Sequence, residues 1–77
     1  MPRYFFHVMD GRAHVDTEGS ELAGLDEVRS EAIRAAGEIL ADQGRLFWKG
    51  NRWQMTVADA AGDTVLTLRF SADEHGR

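Results

Sequence analysis

Between Leu25 and Leu40 the chain changes its apolar rhythm, and that change constrains the fold more than any other feature. Leu25, Val28, Ala32, Ala35 and Ile39 recur at spacings of three and four, and Ile33, Ala36 and Leu40 widen the stripe. Arg29, Glu31, Arg34, Glu38 and Asp42 fall mostly on the other side, so the segment reads as an amphipathic helix. Asp26 is placed to cap it, and Glu27 suits the positive end of the helix dipole. Gly44 is the expected stop, in the left-handed conformation. Arg34 and Glu38 stand four apart, the spacing of a helical ion pair.

On both sides of the helix the rhythm is two. Residues 3–9, Arg-Tyr-Phe-Phe-His-Val-Met, are aromatic and β-branched enough for a strand. Asp10-Gly11 then signals a two-residue turn, which sets Met9 opposite Arg12, Val8 opposite Ala13, His7 opposite His14 and Phe6 opposite Val15. Tyr4, Phe6, Val8, Ala13 and Val15 form the expected core face, leaving Phe5, His7, Met9, Arg12, His14 and Asp16 on the other. Residues 17–25 carry glycine and polar turn signals and read as a connection. Beyond the helix, Trp53, Met55 and Val57 alternate with Gln54 and Thr56. Leu66, Leu68 and Phe70 alternate with Val65, Thr67 and Arg69. A four-residue loop pairing Ala58 with Asp63 would put Met55 opposite Leu66 and Trp53 opposite Leu68. The expected fold is α+β: two hairpins flanking one helix (ββαββ), with a four-stranded, largely antiparallel sheet and the helix packed on one face. The first strand is apolar on both faces, which suits a central position. Residues 1–70 make the domain, and 71–77 form a polar, frayed tail.

Length and charge narrow the function classes. A chain of 77 residues forms one domain and hides only about 60% of its unfolded surface. It has no cysteine, which removes disulfides, thiolate zinc sites and cysteine nucleophiles, and suits a reducing cytoplasm. A partner subunit is the expected supplement to so thin a core. The net charge of −4 speaks against sequence-independent DNA binding. The start lacks the apolar stretch of a signal peptide, and no apolar run approaches a membrane span. A cytoplasmic protein is expected.

The opening Met-Pro-Arg-Tyr-Phe-Phe-His-Val-x-Asp-Gly of residues 1–11 resembles a family of short alphaproteobacterial proteins built on a domain of unknown function. The resemblance continues through Asp16-x-Glu18-Gly19, Glu21-Leu22, Glu31-Ala32, Val57-x-Asp59-x-x-Gly62 and Leu66-x-Leu68-x-Phe70. It implies one domain over nearly the whole chain and carries no catalytic residues. Phe47-Trp48-Lys49-Gly50-Asn51-Arg52-Trp53 is more aromatic than the family pattern.

Three surfaces merit inspection. His7 and His14 are expected neighbours with Asp16 on the same face, the donor set of a zinc site; adjacent hairpin histidines are the commoner outcome, and no metal is assigned. Phe5, His7, Met9 and His14 share a sheet face with no second layer, which invites a homodimer. Arg45, Trp48, Lys49 and Arg52 lie in an acid-free basic-aromatic segment, a composition that can hold single-stranded nucleic acid but more often completes a core. No serine sits in an activating motif and no phosphate-cradling glycine pattern occurs, so neither catalysis nor a cofactor is expected. The leading expectation is a small, self-associating binding module. The alternative is an antitoxin-like regulator that binds a small protein partner. The sheet-then-helix order and Glu21-Leu22-x-Gly24-Leu25-Asp26-Glu27 resemble the HicB-type core, without that family's proline-flanked motif or an appended DNA-binding segment.

Overall fold

The computed structural model describes residues 1–50 and 52–76. Asn51 of the basic-aromatic segment and Arg77 of the tail lie outside the described residues. In chain order the elements are β1 (Arg3–Met9), β2 (Ala13–His14), β3 (Ser20–Glu21), α1 (Leu25–Asp42), α2 (Phe47–Gly50), β4 (Arg52–Ala58) and β5 (Thr64–Ser71). The antiparallel strands run β2-β1-β4-β5, with β3 also paired to β1. The architecture is therefore α+β with β1 inside the sheet, as its two apolar faces require.

One sheet face and one helix stripe make the core. Phe6 pairs with Val57, Val8 with Met55, Met55 with Leu68 and Trp53 with Phe70, so these side chains share one face. Val28, Ala32 and Ala36, at spacings of four, bring α1 onto that face. The two alanines keep the helix close to the sheet. Met55, Val28 and Val57 are the largest fully buried side chains, each contributing about 1.5–3 kcal/mol of transfer free energy. Phe47 of α2 closes the end of this core, edge-on to Phe70 at 5.0 Å.

Both hairpin registers depart from expectation. In the first, Met9 pairs with Ala13 and Val8 with His14 around a three-residue loop, Asp10-Gly11-Arg12. Gly11 takes φ +100 within it. An Asp-Gly pair marks a turn but leaves the loop length open, and a strand apolar on both faces penalises neither register. The slip leaves Ala13 and Val15 exposed rather than in the core. In the second hairpin, Met55 pairs with Leu68 and Trp53 with Phe70, two residues from the expected partners, so the predicted faces survive. The shift is absorbed by an irregularity at Val57/Ala58 and by Asp59, whose carboxylate accepts the N–H groups of Ala61 and Asp63.

The helix ends also differ. Gly24 is the N-cap and makes no side-chain cap bond, while Asp26 lies in the first turn beside Arg29. Glu27 reaches back to accept the Ala23 N–H at 2.8 Å. At the other end Gln43 is the cap residue, and its N–H reaches the carbonyls of Ile39 and Leu40. Gly44 is not in the left-handed region. Leu25 and Ile33, placed in the apolar stripe by spacing, lie at its margins and are 42% and 65% exposed. Arg34 pairs with Glu38 as expected and also with Glu31. β5 continues through Ser71, and Ala72 still packs against the core.

Candidate functional site

The face away from α1 is built of rungs. Phe5 lies opposite Ala58, His7 opposite Thr56 and Met9 opposite Gln54. Across β5 the rungs continue as Thr56–Thr67, Gln54–Arg69 and Arg52–Ser71. Phe5, His7 and Met9 therefore occupy this uncovered face as expected, and the Phe5 and His7 rings lie nearly parallel at 6.5 Å. His14 does not join them. Its pairing with Val8 puts it on the opposite side, where Nε2 meets the Asp10 carboxylate at 3.0 Å.

Asp16 has a structural task of its own. Its carboxylate accepts the backbone N–H groups of Phe6, Glu18 and Gly19 at 3.0–3.1 Å. Its own N–H donates to His7 Nδ1 at 3.1 Å. Burial alone would raise the Asp16 pKa; the N–H groups of Gly19, Phe6 and Glu18, then His7, outweigh it and hold the carboxyl below its ordinary value. Among the described residues no group of three metal-ligating side chains converges. Instead, the carboxylate takes the place of a ladder partner where β2 stops. β3 then resumes pairing at Tyr4, and Leu22 N–H reaches the Pro2 carbonyl. Partners thus run along that edge of β1 from Pro2 to Val8, while β5 pairs only with β4 among the described residues.

Beside the free edge of β5 runs an apolar groove of about 390 Å³, walled by Ile33, Gly37 and Leu40 of α1 and by Leu68 and Phe70. Ile33 is 65% exposed and Phe70 46%.

The basic-aromatic segment divides on folding. Phe47 and Trp53 enter the core, as the phase of Trp53 requires, while Arg45, Trp48 and Lys49 remain exposed. Arg52 separates from these and opens β4 on the uncovered face, where it joins Met9, Gln54, Arg69 and Ser71 around an open depression of about 770 Å³. Arg3, Arg29 and Arg34 are ion-paired. Among the described residues Arg12, Arg45, Lys49, Arg52 and Arg69 have no carboxylate partner. Two of them, Arg52 and Arg69, lie at the Met9–Gln54–Arg69 end of the sheet.

A family model describing a domain of unknown function, DUF6894, matches residues 3–71. The chain belongs to the DUF6894 family. The match opens on the first residue of β1 and closes on the last of β5, so the DUF6894 unit and the folded sheet coincide. No curated protein and no solved structure matches the chain.

Sequence reasoning passed over three things in this DUF6894 domain. Ser71 joins Arg52, and Arg69 joins Gln54, only because antiparallel pairing brings the start of β4 to the end of β5. β3 is two residues long, too short for any periodic signal. The groove at Ile33 depends on how far α1 rolls across the sheet, which a stripe with an alanine-rich margin does not specify.

Proposed function

We propose that this chain is a small non-enzymatic interaction module that self-associates through its sheet, by pairing β5 with β5 of a second copy. The observation that carries the reading is the asymmetry of the two sheet edges. β1 is sealed by β2, Asp16 and β3, whereas β5 presents eight residues beside an exposed apolar groove. An unpaired edge of that length is a template for another strand. A two-fold axis at Leu68 would set Leu66 opposite Phe70 on the helix side. It would also set Arg69 opposite Thr67, avoiding a cross-strand arginine pair. Phe5 and Met9 are too few, on a face otherwise built of His7, Gln54, Thr56, Thr67 and Arg69, to favour face-to-face packing.

Sedimentation equilibrium tests this. The expected result is a concentration-dependent dimer that Ile33→Glu converts to a folded monomer, because Ile33 is exposed and its replacement leaves the core intact. A wild-type monomer at about 500 μM would sink the proposal, since even weak specific dimers are populated there. That monomer, together with retention of a distinct small protein, would favour the antitoxin-like alternative.

A further inference from the structure

We infer that the depression where β4 begins and β5 ends is a binding site for a compact phosphate ester of nucleotide size. Three observations converge there. Its volume of about 770 Å³ lies within the range of small-ligand sites, which is roughly 300–1,000 Å³. Arg52 and Arg69 line it, and neither has a carboxylate partner among the described residues although the chain is net acidic. A guanidinium presents its donors in a fork that matches phosphate oxygens. Trp53 forms part of the wall and is 3% exposed, so its ring is a fixed reporter beside the arginines. Gln54 adds an amide from the same rung as Arg69.

The rest of the wall selects size and character. Met9 and Phe70 are about half exposed and offer an apolar surface for the organic part of the ligand. Asp73 also lines the depression and is the one carboxylate in its wall. A net charge of −4 opposes a long polyanion, which would sample the acidic surface beyond this pole. A compact ester engages the two arginines without that penalty. Of the basic-aromatic segment that the sequence singles out, Arg52 lines the depression, whereas Arg45, Trp48 and Lys49 do not.

The test is a titration of the full chain with ATP, inorganic pyrophosphate and adenosine, read by the indole N–H resonances of Trp53 and Trp48. Saturable shifts of the Trp53 resonance are expected with ATP and pyrophosphate, and none with adenosine alone. Replacing both arginines (Arg52→Gln with Arg69→Gln) should weaken ATP binding by about tenfold or more, whereas Arg45→Gln with Lys49→Gln should leave it within about twofold. Asp73→Asn should tighten it. All five positions are exposed, and circular dichroism checks that each variant is folded. Repeating the titration in Ile33→Glu separates ligand binding from self-association. The inference falls if Trp53 does not shift at about 5 mM ligand, where a millimolar site would be mostly filled. It falls equally if the Arg45/Lys49 pair matters as much as Arg52/Arg69. It also falls if a single-stranded oligonucleotide binds more tightly than ATP through Arg45 and Lys49, which would mark a nucleic-acid surface instead.

Discussion

Asp16 decides more of this structure than any other single side chain, because its carboxylate splices two short strands onto one edge of β1. Asp16→Asn keeps one acceptor oxygen but turns an amide toward the Phe6 N–H now held by Oδ2. Leaving that donor unsatisfied should cost about 1–3 kcal/mol, measurable by urea denaturation. The pH dependence has a definite sign. The folded-state pKa of Asp16 is depressed, so its contribution is full above the ordinary aspartate value, about pH 4. It is lost as pH falls through the lower folded value. In that acid window the Asn variant should lose less stability than the wild type, and a parallel fall of both denaturation curves would contradict the assignment. Gly19, next in this loop, sits at φ +73, and a Cβ there would meet the Tyr4 carbonyl at 2.8 Å and the Phe5 ring at 2.9 Å. Gly19→Ala should destabilise by about 1–3 kcal/mol, as expected for strain combined with a backbone clash.

At the scale of elements, α1 contains a correctable weakness. Gly37 lies in its interior with open space where a side chain would go. Gly37→Ala should stabilise the domain by about 0.5–1 kcal/mol through reduced unfolded-state entropy. In a chain of this size that raises Tm by roughly 2–8 °C, and a Tm that falls would show that the helix is not continuous there. The opposite outcome is expected at Ala32, which is fully buried against the sheet. Ala32→Leu would force α1 away from Met55 and Val57 and should cost about 1–3 kcal/mol. The strands show what a period-two pattern specifies. In β4 and β5 it assigned the faces correctly although the partners were two residues out. In the first hairpin, where both faces of β1 are apolar, it did not constrain the register, and His14 emerged on the wrong side.

For the molecule as a whole, the two edges and the two poles of the sheet are unlike. Pairing at β5 should make Tm rise with protein concentration in the wild type but not in Ile33→Glu, because mass action stabilises only what associates. A concentration-independent Tm in both would count against the proposed assembly. Of the depression's wall, Arg52 and Met9 lie on β4 and β1, away from that edge, whereas Arg69 and Phe70 lie on β5 itself, so pairing at β5 should alter the affinity of the site for its ligand. The amino-acid sequence by itself determined the helix, the apolar faces of β1, β4 and β5, the burial of Trp53 and the placing of Phe5, His7 and Met9 on the uncovered face. Each of these follows from a local period in which apolar residues seek one side. Tertiary structure alone decided the registers, the two-residue strand β3 and the use of Asp16 as a backbone partner. It also separated His7 from His14 and joined Arg52 to Arg69. These outcomes depend on loop lengths and on hydrogen bonds between residues distant in the chain. Local periodicity fixes which side a residue faces; only the closed fold fixes whom it meets there.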